Sequence, residues 1–195
     1  MKRLSFLAVF VFLLVAAKGI VIKDTEIGMS ALTIYPSFSG SFSSQYKENW
    51  CWAACVQMVL DYYGLYITQS DIVEKVYGYA GNFTADSSRI VNGINGWLIG
   101  GRRILAYKGS EISLVSLASP LKKGIPLIVG LREPYDSVNH TYVLTHIFSE
   151  EDSIGSYNPV RVRLVNPAKK GDLEEDMDWV EFKKRIAAII TIKVD

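Results

Sequence analysis

Four residues of this chain have types and spacing that suit covalent chemistry at a carbonyl: Gln45, Cys51, His140 and Asn166. Cys51 lies at the start of a run, Asn49 to Tyr63, that holds neither Gly nor Pro and stops at Gly64. The run predicts a helix with Asn49 as N-cap and Gly64 just past its end. A thiol in the first turn of a helix meets unpaired backbone N–H groups and the positive end of the dipole, and both favour its thiolate, the nucleophilic form. Gln45 stands six residues upstream, on the chain entering that turn. Its side-chain amide and the Cys51 backbone N–H are the two candidate donors of an oxyanion hole.

A nucleophilic thiol needs a base. His140 precedes an apolar stretch, Tyr142 to Phe148, that reads as a strand following the loop Glu133 to Asn139. Asn166 ends the alternating stretch Val160 to Val165, and Pro167 stops it. In an antiparallel pair the start of one strand lies beside the end of the next, so Asn166 can accept from the second ring nitrogen of His140 and fix its tautomer. His146 is the competing base. Six residues from His140, it is expected on the same strand face, roughly 20 Å away at ~3.3 Å per residue. Cys55, one turn deeper than Cys51, reads as a small buried hydrophobe, and a strained Cys51–Cys55 bridge is the rival reading. Trp50 and Trp52 are candidates for cleft walls or for core. The glycine-bearing stretch Gly96–Gly101 and the loop Glu133–Val138 are candidate rims.

The elements that must hold these residues follow from the hydrophobic pattern. Trp52, Cys55, Val56, Val59 and Tyr63 recur at helical spacing, and Met58, Leu60 and Tyr62 make the helix apolar on most sides, hence largely buried. Further helices are predicted after Thr68, with Asp71 completing a capping box, over Ser87–Leu98, and from Ser113 to before Gly124. Then the texture changes to strands: Pro126–Leu131, Tyr142–Phe148, Val160–Val165 and, after a short helix at Asp178–Arg185, Ala187–Val194. Helices before strands argue for an α+β architecture rather than alternating βαβ units.

Composition narrows the function. The chain has 195 residues, 49% hydrophobic and 21% charged, the profile of one ordinary globular domain. A net charge of +1 excludes a broad electrostatic footprint for nucleic acid or anionic lipid. Two Cys and two His lie at spacings unlike a zinc site, so no metal and no cofactor is expected. Residues 1–17, with Lys2 and Arg3 before an apolar run ending Val15-Ala16-Ala17, have the layout of a secretory signal peptide. The expected organisation is a signal peptide over 1–17, a lead-in segment over 18–44 and one domain over 45–195. The mature protein is expected to be secreted or periplasmic, monomeric and free of the membrane.

The Gln45…Cys51-Trp52 spacing, with His and then Asn downstream, resembles the papain-like cysteine peptidases. The wording Asn49-Trp-Cys-Trp-Ala-Ala54 is most similar to their compact bacterial branch, the avirulence-effector and C39-like enzymes. That resemblance implies a buried catalytic helix in an N-terminal helical part, packed on a C-terminal antiparallel sheet. It implies Cys51 as nucleophile, His140 as base, Asn166 as orienting residue and Gln45 as oxyanion donor, acting on a peptide or protein substrate through a thioester. The chain departs from papain itself in three ways. Asn49-Trp50 replaces Gly-Ser before the Cys, His140 stands only 89 positions after Cys51, and no Trp follows directly on Asn166. Two other outcomes are compatible with the same residues: amide transfer to an amine, as in a transglutaminase, and a papain-like fold used only for binding.

Overall fold

The helix that begins at Cys51 forms as its pattern predicts, with one change at its start. In a computed structural model, which describes residues 21–24, 29–33, 36–134, 139–154 and 156–195, α1 spans Cys51–Tyr62. The predicted signal peptide lies outside the described residues. The N-cap is Trp50, with no side-chain cap, because Asn49 is engaged elsewhere. Its N–H donates to Asn82 Oδ1 at 3.1 Å and its Nδ2 to Asn82 O at 3.3 Å. The C-terminal end is a Schellman turn: Gly64 N–H donates to Asp61 O, Leu65 N–H reaches back to Leu60 O, and Gly64 takes the left-handed conformation at φ 74°. Eight of its twelve residues are buried, so α1 is the centre of the core.

Two helices pack beside it. α2 (Gln69–Tyr77) carries the expected Thr68/Asp71 capping box. α3 (Ser87–Ile94), capped by Asp86, ends four residues before the predicted Leu98. Asn95 is extended there and Gly96 left-handed at φ 78°, and Leu98–Ile99 turn into a short strand. α4 (Leu114–Leu121) starts at Ser113 with a Ser113/Ser116 capping box. α5 (Trp179–Arg185) is capped by Asp178.

The strands are β1 (Val21–Asp24), β2 (Met29–Thr33), β3 (Leu98–Ile99), β4 (Arg102–Lys108), β5 (Leu127–Leu131), β6 (His140–Glu151), β7 (Tyr157–Val165), β8 (Glu174–Asp178) and β9 (Ile186–Val194). Every pairing among them is antiparallel. β6 is the hub. One edge takes β5 over residues 140–144 and then β2 over 146–150, while the other carries β7. Beyond β5 the order continues through β9 and β4 to β3, and beyond β7 lies β8. The α+β expectation holds, as does the helix packed on an antiparallel sheet. The strict order of helices before strands does not, since β1 and β2 precede α1 and β4 lies between α3 and α4. The lead-in segment is therefore sheet in part, at the end of β6 remote from His140.

Gly93 explains how α2 and α3 sit so close. A Cβ there would stand 2.7 Å from Val76 Cγ2 and 3.1 Å from Val76 Cα. Glycine within a helix normally costs stability relative to alanine, but here the contact reverses the sign. Gly93→Ala is expected to destabilise the protein by about 1–3 kcal/mol through overpacking, read as a lower midpoint in urea unfolding with unchanged slope.

Candidate active site

Two element ends meet at Cys51. It is the first residue of α1, half-buried, and His140 is the first residue of β6. The thiol is hydrogen-bonded to the His140 ring and to Thr141. One turn deeper, the Cys55 thiol donates to the Thr141 carbonyl at 3.3 Å, so both thiols of the chain touch the start of the same strand. Among the described residues both cysteines are free, and Cys55 is fully buried, as a small hydrophobe should be.

Asn166 completes the line. Its Oδ1 lies 2.9 Å from His140 Nε2 and also accepts from the Ala168 N–H at 3.0 Å. Its Nδ2 donates to Glu175 Oε2 at 3.1 Å. These partners fix the amide: an acceptor faces the ring, so Nε2 carries the proton and Nδ1 is left for the thiol. Strand register brings this about, because Val165 pairs with Val143 and the next residue emerges beside the start of β6. The turn after Asn166 is tied to the chain entering α1. The Gln45 N–H donates to Pro167 O at 2.8 Å, and Ser44 Oγ donates to Lys169 O at 2.9 Å.

Electrostatics favours charge separation across the pair. Burial pushes the Cys51 thiol up, but the hydrogen bond and charge of His140, together with Thr141, outweigh it and hold the thiol below its ordinary value. Burial pulls the His140 imidazole down, yet the Cys51 hydrogen bond and charge, the Asn166 hydrogen bond and the Glu133 carboxylate raise it. Glu133 is itself placed by a network: Tyr142 packs edge-on against the His140 ring at 4.7 Å, its hydroxyl donates to Glu133 Oε1 at 3.0 Å, and Arg185 pairs with Glu133 Oε2 at 2.8 Å. No feature of the sequence marks Thr141, Tyr142 or Glu175, whose partners are set by fold geometry, and Glu133 was marked only as part of a candidate rim.

The thiol opens into a cleft of about 260 Å³, lined on one side by Asn49, Trp52, Thr84 and Ala85 and on the other by Glu133, Asn139 and Thr141. A more open hollow of about 440 Å³ beside Asp86 and Arg89 lacks any such pair, so the smaller cleft is the candidate site. Of the expected Glu133–Val138 rim, Glu133 lines the cleft, and residues 135–138 lie outside the described residues. The Gly96–Gly101 stretch does not line it; Thr84 and Ala85 take that place, on a strap held by Trp50 Nε1 to Gly81 O and Trp52 Nε1 to Phe83 O, both at 2.9 Å. Trp50 is thus a buried anchor of that strap rather than a cleft wall, whereas Trp52, equally buried, contributes to the wall.

Gln45 is not aimed at the thiol. Its Nε2 donates to Lys47 O at 3.0 Å and to Glu48 O at 2.6 Å, two carbonyls of the turn before α1. His140, not His146, is the ring that meets the Cys51 thiol. Burial, then the Arg163 charge, hold His146 down at about 4, and it stacks on Phe148 at 5.6 Å. A bulge between Leu144 and His146 breaks the alternation of β6, so the expectation of a shared face with His140 fails. Among the described residues no group of three or more His, Cys, Asp or Glu could hold a metal ion.

The model of the Peptidase_C39 like family matches residues 40–189. The chain belongs to that family. This C39-like chain is accordingly a cysteine peptidase of papain-like fold. Among solved structures, the peptidase domain of Streptococcus ComA, a bi-functional ABC transporter involved in a quorum sensing pathway, superposes with a TM-score of 0.55 at 16% identity, covering 78% of this chain and 95% of that one. A double glycine motif protease from an AMS/PCAT transporter, in complex with its leader peptide, gives a TM-score of 0.48 at 17% identity over 77% and 87% of the two chains. The likeness to the ComA domain shows the fold. No curated protein sequence matches the chain. For this C39-like peptidase, iodoacetamide is expected to label Cys51 in the native protein and to reach Cys55 only after unfolding, as peptide mapping by mass spectrometry would show.

Proposed function

We propose that this C39-like chain hydrolyses peptide bonds with Cys51 as nucleophile, His140 as general base and acid, and Asn166 as the residue that orients the imidazole. The observation that carries the reading is the continuous hydrogen-bonded line Cys51–His140–Asn166 at the mouth of a cleft. His140 takes the thiol proton, and the thiolate attacks the substrate carbonyl carbon. The oxyanion develops beside the first turn of α1, whose Cys51 N–H has no intrahelical partner. The imidazolium then gives its proton to the leaving amine nitrogen as the C–N bond breaks. Water, deprotonated by His140, attacks the thioester carbon, and the C–S bond breaks to release the acid and restore the thiol.

Gln45 supplies the second donor in this reading. In the free protein its amide hydrogens rest on two neutral carbonyls. An oxyanion is the stronger acceptor, since charge-assisted hydrogen bonds are about twice as strong as neutral ones, so it draws one hydrogen away. The signal-peptide layout of residues 1–17 adds export of the mature chain to the proposal, with a peptide or protein outside the cytoplasm as substrate.

The test is cleavage of a peptide library by the mature chain, followed by mass spectrometry, with Cys51→Ala as the inactive control. The profile of kcat/KM against pH is expected to be bell-shaped. Its acid limb lies below the ordinary thiol value of about 8.5 and its alkaline limb above the ordinary imidazole value of about 6.5, following the downward shift of Cys51 and the upward shift of His140. Gln45→Ala is expected to lower kcat by about 10²-fold with KM little changed. A library left intact by the wild-type chain, with Cys51 unreactive, would remove the reading.

A further inference from the structure

We propose that Glu175 is a positioning residue of this site, acting through Asn166 to hold the His140 imidazole in its protonated, correctly turned form. The inference rests on the reading of Cys51, His140 and Asn166 as the reacting line and adds a fourth member to it. An amide side chain has a donor end and an acceptor end, and the Asn166 task requires the acceptor end to face the ring. Glu175 presents an ionised acceptor at 3.1 Å from Asn166 Nδ2. A reversed amide would set Oδ1 against that carboxylate, two acceptors with no proton between them. The carboxylate therefore locks the orientation from the far side, while the Ala168 N–H supports it from the near side at 3.0 Å. Its charge works in the same sense, because a negative group two hydrogen bonds away favours imidazolium over imidazole.

The carboxylate is itself fixed. Lys169 Nζ lies 3.5 Å from the same Oε2 and donates to Glu174 O at 2.9 Å. Glu175 comes from β8, an acidic edge strand, Glu-Glu-Asp-Met-Asp, that shows no apolar alternation and pairs with β7 alone. Its register sets Glu175 opposite Leu164 and Glu174 opposite Val165, which brings the carboxylate to the outer side of Asn166. No Trp stands directly after Asn166; the Glu175–Lys169 pair is at the outer end of the line. The charged and titratable groups around His140 are then Cys51 from α1, Glu48 in the shared cleft, Tyr142 against its ring, Glu133 with its partner Arg185, and, by hydrogen bond through Asn166, Glu175 with its partner Lys169.

The experiment is iodoacetamide alkylation of Cys51 in the full mature chain from about pH 3 to pH 10, read by mass spectrometry, with thermal unfolding in parallel. Wild type is compared with Glu175→Gln, Glu175→Ala and the charge-matched neighbour Glu174→Gln. The acid limb of labelling reports the formation of thiolate beside imidazolium, and weaker support for imidazolium moves that limb to higher pH. Glu175→Ala is expected to move it up by roughly 0.5–1 pH unit, the size of one charge interaction across partly solvated protein. Glu175→Gln, which keeps an acceptor and loses the charge, moves it the same way by less, and Glu174→Gln leaves it in place. If Glu175→Ala does not fold, the Gln variant carries the test. Variants that lose thermal stability while their limb stays on the wild-type curve overturn the positioning role and leave the proposed peptidase mechanism standing. An ordinary thiol limb in wild type overturns both.

Discussion

One packing seam carries this structure: the first turn and a half of α1 against the first two residues of β6. Cys55 is the fastener, a fully buried thiol donating to the Thr141 carbonyl. Four residues earlier on the same helix side, Cys51 reaches His140 and Thr141. A helix repeats after 3.6 residues and a strand pairs residue by residue, so fixing one contact at this crossing fixes the other. The sheet serves the seam. β6 accepts three neighbours along its length, and its first five residues are clamped between β5 and, from Val143 onward, β7.

Around the seam, polar groups are arranged so that His140 is met from three directions. The thiol lies on one side, the Asn166 amide on another, and the ring of Tyr142 packs edge-on with Glu133 behind it. Burial alone would favour neutral Cys and neutral His, since desolvation penalises both charges. The hydrogen bonds and opposite charges reverse that preference for both groups. His146 shows the opposite balance: in the same strand but beside Arg163, burial and that charge outweigh the Asp176 carboxylate and hold it neutral down to about 4.

Much of this was legible in the sequence, for stated physical reasons. The Cys51 helix was visible because apolar residues at helical spacing and a terminal Gly64 are local signals. His140 and Asn166 were visible because strand starts and Pro-terminated strand ends are local too, and antiparallel pairing joins them. What stayed hidden is non-local. β4 is rich in charged and exposed residues and becomes a strand only because β9 pairs with it. β8 lacks any alternating pattern and depends on β7 and on the Arg163–Asp176 pair at 2.7 Å. The cleft wall at Thr84–Ala85 depends on two tryptophan indoles that hold a strap, which made Trp50 an anchor where a wall was equally readable. The bulge that turns His146 away from His140 has no residue signature. The folded-back amide of Gln45 depends on where two turn carbonyls point.

The backbone bond from Gln45 N–H to Pro167 O has a consequence in time. It spans the chain from the entry of α1 to the exit of β7, so the residues around Cys51 emerge from the ribosome long before their counterparts exist. β9, last of the described strands, lies between β5 and β4 rather than at an edge, and the strand that pairs with His140 is completed only when β9 is in place. Through most of synthesis Cys51 is then a plain thiol on a largely apolar segment, with neither the His140 ring nor the Asn166 amide in place. The thiol is made early and meets its partners late.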